Sequence, residues 1–124
     1  MARTYTFDLV LDVTVVADGT GTLTYTVSQD EEFELVEMFH AATGVFQIND
    51  IRDSVGFHYT NASANNPIPS TLIAQGANEY NHLGKFPVPI KVSGGSTIYF
   101  DVEDTSSSGN VIRLIIPCRR TFPS

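Results

Sequence analysis

Tryptophan is missing from the chain, and cysteine occurs once, as Cys118. A lone cysteine excludes an internal disulfide, which suits folding in a reducing cytoplasm. Without tryptophan the chain lacks the largest aromatic platform on which a sugar ring could stack. Charge is also sparse. Asp, Glu, Lys and Arg make up 17% of the 124 residues, against about 25% in ordinary domains. Basic charge is the scarcer sign: 7 Lys and Arg face 14 Asp and Glu, a net charge of −7. That balance argues against nucleic acid and anionic membranes as partners, because both are held by basic patches. It suits docking on a basic protein surface. No apolar run approaches the roughly 18 residues of a membrane span. The opening Met1-Ala2-Arg3-Thr4 lacks the apolar core of a secretion signal.

What is present is a strong period of two. Hydrophobic residues make up 42% of the chain, enough for one core spanning residues 1–124. Over residues 5–15, Tyr5, Phe7, Leu9, Leu11, Val13 and Val15 alternate with polar neighbours, the mark of a strand with one dry face. Residues 1–6 could extend from it as an N-terminal arm. Asp18-Gly19 predicts a turn. Leu23, Tyr25 and Val27 then resume the alternation, either as a hairpin partner or in a second sheet. Residues 33–41 can be read two ways: they contain good helix formers, but with strands all around them the preferred reading is a strand, with Phe33, Leu35 and Phe39 on one face and Val36, Met38 and His40 on the other. Residues 45–51 and 57–60 read as two more. Pro87 and Pro89 place residues 86–92 at a sheet edge or in an irregular strand, because proline cannot donate to a ladder. Residues 97–103 and 111–119 alternate again, the last with Ile112, Leu114, Ile116 and Cys118 on one face. About eight short strands without a long helix predict an all-β sandwich or barrel.

The residues offer little chemistry. His40, His58 and His82 form no metal-binding spacing with one another or with Cys118. Asp50 with Asp53, and Asp101 with Glu103 and Asp104, could gather oxygens for calcium but lack its loop pattern; they read as solvated acidic patches. Cys118 reads as a small core hydrophobe. Arg52-Asp53 reads as a surface ion pair ending a strand. No metal, cofactor or catalytic residue is expected, and the chain is not expected to be an enzyme. Were it one, His58 or His82 beside a carboxylate would be its best base. Residues 61–84 form a connection too long to be idle, with a helical turn beginning near Ser70 or Thr71. Its apolar residues Ile68, Leu72, Ile73, Tyr80 and Leu83, with Phe86, are the candidate protein interface.

Several segments together resemble a known group. They are Ile51-Arg52-Asp53-Ser54, Pro67-Ile68-Pro69-Ser70-Thr71-Leu72-Ile73 and Phe86-Pro87-Val88-Pro89-Ile90. Gly94-Gly95-Ser96-Thr97-Ile98 with Phe100-Asp101-Val102, and Asn110-Val111-Ile112-Arg113-Leu114 running to Cys118-Arg119-Arg120, complete the series. Over about residues 30–122 this order is similar to the small jelly-roll decoration, or cement, proteins encoded beside the major capsid protein of tailed bacteriophages. The resemblance implies a jelly-roll sandwich of about eight antiparallel strands. It also implies a homodimer or homotrimer on the outer surface of the virion, made in the host cytoplasm, that bridges capsomers. It implies no small-molecule substrate. The alternative is a phage fibre, baseplate or receptor module that binds glycan, with Tyr59, Tyr80 and Tyr99 as its available aromatics.

Overall fold

The computed structural model describes residues 3–73 and 85–122. Among them lie nine strands: β1 (Arg3–Val15), β2 (Thr20–Thr26), β3 (Glu32–Glu37), β4 (Phe39–His40) and β5 (Phe46–Asp53), then β6 (Ile68–Pro69), β7 (Lys85–Val92), β8 (Thr97–Asp104) and β9 (Asn110–Phe122). A 3-10 turn, Ser70–Leu72, follows β6. One sheet runs β1-β9-β3-β7, with β4 also on β9; the other runs β2-β8-β5-β6. Every ladder is antiparallel. First strand pairs with last, second with next to last, third with the one before that. A long hairpin folded over in this way is a jelly roll, so the expected all-β sandwich is the fold observed.

The alternation explains why the strands stack. Phe7, Leu9, Leu11 and Val13 on β1 stand opposite Cys118, Ile116, Leu114 and Ile112 on β9. These side chains face Leu23 and Tyr25 on β2 and the inward rows of β5 and β8. Phe33, Leu35, Phe46, Ile48, Ile98, Phe100, Val102, Ile112, Leu114 and Ile116 are fully enclosed. Truncating a phenylalanine in such a core costs about 3–5 kcal/mol. Cys118 is a member of this core, and burial pushes its thiol pKa up to about 12. β2 does not form a hairpin ladder with β1; it crosses to the second sheet.

Three expectations are corrected. The register shift between Leu35 and Glu37 slips the phase of the chain by one residue, as a bulge does. Phe33, Leu35, Met38 and His40 are therefore the buried set, while Val36 and Phe39 are half-buried. Residues 57–60 form no strand; His58 alone makes a bridge, to Arg52. The reason is Asp53, whose carboxylate captures the backbone of the turn that follows it. Arg52 and Asp53 do not pair with each other either, because neighbours on a strand point to opposite faces. β7, with its two prolines, is an edge strand, as proline requires.

Candidate functional site

The inward alternation does not stop where the apolar residues stop. On β8 the row Ile98, Phe100, Val102 continues to Asp104, and on β9 the row Ile112, Leu114, Ile116 is preceded by Asn110. Both polar residues are enclosed, at 1% exposure each. A buried charge or amide must find partners, and these two find them in the loops at one end of the sandwich.

Asp104 Oδ2 accepts from the backbone N–H of Asp18 at 2.9 Å. Its Oδ1 accepts from the Ser106 hydroxyl at 2.6 Å and from Asn110 Nδ2 at 3.0 Å. Asn110 Oδ1 in turn accepts from Thr43 Oγ1 at 3.1 Å and from the Gly44 N–H at 3.0 Å. Asn110 Nδ2 also donates to the Val45 carbonyl at 3.0 Å. The Asp104 N–H donates to the Gly19 carbonyl, and Thr105 N–H to the Val45 carbonyl. Loops 16–19, 41–45 and 105–109 are thus fastened to one two-residue hub. Ser70 joins from the 3-10 turn, its buried hydroxyl accepting from Phe46 N–H at 3.1 Å. The hydrogen bond from Ser106, aided by those from Asp18 and Asn110, holds the Asp104 pKa well below the usual carboxylate range against the opposing effect of burial. Asp18 sits at φ 57, a left-handed conformation that Asp tolerates.

The fastened loops present Val16 at 75% exposure and Val45 at 50%. Around them stand Ala17, Thr43, Thr105, Ser107 and Ser108, all exposed, small and uncharged, with Asp18 the one exposed charge of these loops among the described residues. Such a surface has little polar group to desolvate on docking and little freedom to lose.

The opposite end is built differently. Asp53 Oδ1 accepts from the N–H groups of Val55, Gly56 and Phe57 at 2.9, 3.0 and 3.0 Å. The Tyr59 hydroxyl donates to its Oδ2. Burial pulls the Asp53 pKa up, but these hydrogen bonds outweigh it and the net shift is downward. Burial, with Asp53, pushes Tyr59 up to about 12. Val55 and Phe57 project from this loop at 63% and 64% exposure. Beside it an open groove of about 440 Å³ is lined by Gln29, Asp30, Glu31, Glu32, Ser93 and Gly94. Glu31 is enclosed and paired with Arg120 at 2.8 Å. Gly94 lies so close to the Gln29 and Glu31 carbonyls that a Cβ would meet them at 2.7 Å.

The outer face of the second sheet carries a polar network. Arg52 Nε lies 2.8 Å from Asp101 Oδ2, and its guanidinium covers the Tyr99 ring at 4.4 Å. The hydrogen bond to Asp101 raises the Arg52 pKa. Thr22 and Arg52 both donate to Asp101, and Asn49 donates to Glu103. His58 Nδ1 lies 2.8 Å from Asp50 Oδ2, with His58 exposed.

The structure scatters the residues singled out from the sequence. Asp101 and Glu103 face solvent while Asp104 is enclosed, so the three do not form one acidic patch. Asp50 and Asp53 are separated in the same way. Among the described residues no three His, Cys, Asp or Glu converge as metal ligands. Of the candidate interface, Ile73 is 2% exposed and belongs to the core of this chain, so it has no side chain left to offer a partner. Ile68 is half-buried against that core. Tyr80 and Leu83, and His82 with them, lie outside the described residues, as do the side chains of Leu72 and Phe86. Val16, Val45 and Asn110 were not among the candidate residues chosen from sequence, and Asp104 was read there as part of a solvated patch rather than as a buried group. Their signal is there: a charge and an amide at inward positions beside exposed apolar loop residues.

No family model, curated protein or solved structure matches the chain. What it does must be read from its own surface.

Proposed function

We propose that the chain is a structural protein that works by docking rather than by catalysis. It decorates the outer surface of a phage capsid and bridges neighbouring capsomers. The observation that carries this reading is the loop end fastened by Asp104 and Asn110, where Val16 and Val45 stand exposed on a pre-ordered, nearly uncharged surface. Each such contact is small and weak alone. A decoration protein that touches more than one capsomer gains by effective concentration. One that binds only the expanded shell stabilises that shell by mass action. The acidic balance of −7 suits a position outside the shell, away from the nucleic acid.

The test is co-sedimentation with expanded and unexpanded phage heads assembled from a major capsid protein. Stoichiometric binding to expanded heads is expected, and Val16→Asp with Val45→Asp should abolish it while the protein stays folded. Wild-type protein left in the supernatant would sink the reading. The glycan-binding alternative has less to stand on. The Tyr99 ring is covered by Arg52, and the Tyr59 hydroxyl is occupied by Asp53.

A further inference from the structure

The first sheet ends in a strand with an open side. β1 is 13 residues long, pairs with β9 without a register shift, and has no neighbour on its other edge among the described residues. A long, regular free edge is a template for another strand, and proteins usually blunt it. The other edges are blunted or shorter than β1. β7 contains Pro87 and Pro89, β6 is two residues and ends in Pro69, and β2 is seven residues.

The inward row of β1 is also incompletely covered. Leu9, at its centre, is buried, but Phe7, Leu11 and Val13 are only half-buried and Tyr5 is 46% exposed. A strand laid alongside would cover all four. We propose that the strand is β1 of a second copy, paired antiparallel about a two-fold axis at Leu9.

The sequence of β1 selects this register from its alternatives. An antiparallel partner must keep inward residues opposite inward residues, so the register can slip only in steps of two. With the axis at Leu9, Arg3 stands opposite Val15 and all 13 residues are paired. On the inner face Phe7 meets Leu11 and Tyr5 meets Val13, so each half-covered residue meets another. On the outer face Asp8 meets Val10 and Asp12 meets Thr6. Moving the axis to Val10 sets Asp8 opposite Asp12, and moving it to Asp8 sets the two Asp8 residues against each other. Like charges directly opposite destabilise a strand pair. Chain length, apolar coverage and charge therefore agree on one axis. The contact is isologous and closes with two copies. It does not depend on the capsid reading.

Sedimentation equilibrium of the purified full chain tests the pairing. Wild-type protein should show a reversible monomer–dimer equilibrium. Val10 is 54% exposed on the outer face, so the monomer should tolerate changes there; the thermal melt of the diluted protein checks this. Val10→Asp sets a carboxylate opposite Asp8 at two symmetric places and should weaken the dimer about tenfold. Val10→Lys sets an ammonium there and should tighten it several-fold, a gain that about 1 M salt removes. Thr6→Lys, opposite Asp12, should tighten it likewise and carries the test if Val10→Asp fails to fold. A monomer at all concentrations, or a closed trimer, overturns the proposal. So do Val10→Asp and Val10→Lys shifting the equilibrium in the same direction, or neither shifting it.

Discussion

At one end of the sandwich Asp104 and Asn110 gather backbone and side-chain groups from three separate loops. At the other, Asp53 gathers the turn that immediately follows it. Both ends use a buried carboxylate, and both hold its pKa down with hydrogen bonds. They differ in reach. Asp18 lies 86 positions from Asp104, and Thr43 lies 67 from Asn110. The partners of Asp53 lie no more than six positions away. A local cap orders one loop whether or not the rest of the chain has closed. A long-range hub can form only when β1, β4, β5, β8 and β9 are already in place, so its bonds belong to global stability. The surfaces follow suit. The hub end carries two exposed valines and few charges, while the locally capped end borders an acidic groove. The hub couples three loops through one pair of buried side chains, which is what a rigid docking surface needs.

The largest expected effect tests that coupling. Asn110→Ala leaves Gly44 N–H without its partner and removes the bonds that Asn110 makes to Thr43, the Val45 carbonyl and Asp104, and should lower unfolding stability by about 3 kcal/mol in urea titration. Asp104→Ala should lower it further. Hydrogen exchange should then speed up in loops 16–19, 41–45 and 105–109 together. Faster exchange in 41–45 alone would dissolve the distinction between the two ends.

Acid separates the ends next. Asp104 and Asp53 both have pKa values below those they take in the unfolded chain. The unfolded chain therefore binds protons first as pH falls. Their contribution is fully present above the ordinary carboxylate pKa of about 4 and is lost as pH drops through the folded values. Stability measured by urea titration should be flat near neutrality and fall below about pH 4. Asp104→Asn should flatten that fall more than Asp53→Asn does. On the alkaline side the sign reverses for Tyr59, whose pKa is pushed up to about 12. Its contribution is intact below about pH 10 and disappears as pH rises through 12.

A smaller effect belongs to the local cap. Tyr59→Phe removes one hydrogen bond to Asp53 and should reduce stability by about 1 kcal/mol. Exchange should accelerate at residues 54–58 and nowhere in the hub loops. A global loss as large as that of Asn110→Ala would mean the two ends are alike.

Much of the fold was legible because its strands alternate. Period two marked β1, β2, β8 and β9, and two prolines marked β7 as an edge. The bulge in β3 was not legible, since an inserted residue leaves no trace in an alternating pattern until the partner strand is known. The hub was half legible. Glu31, Asp53, Ser96, Asp104 and Asn110 each extend the inward row of a strand, and all five are buried. Alternation read past the last apolar residue would have flagged them as buried polar groups in need of partners. Which loops supply those partners depends on the topology, which no local pattern contains. Ile73 misled for the complementary reason: an apolar residue in a long connection can face either a partner or its own core, and here it faces the core.

The smallest expected change in stability sharpens the contrast most. Val16 and Val45 stand on the fastened loops but take no part through their side chains in fastening them; Val45 contributes its carbonyl. Val16→Ser and Val45→Ser should therefore alter unfolding stability by less than about 0.5 kcal/mol. The same substitutions should weaken capsid co-sedimentation strongly if the hub exists to present them. Val55→Ser and Phe57→Ser, at the opposite end, should be equally silent in stability and leave co-sedimentation intact. The reverse pattern would move the docking surface to the locally capped end. The Asp104–Asn110 hub would then serve stability alone, and pre-ordering by long-range bonds would not be what selects a docking surface in this protein.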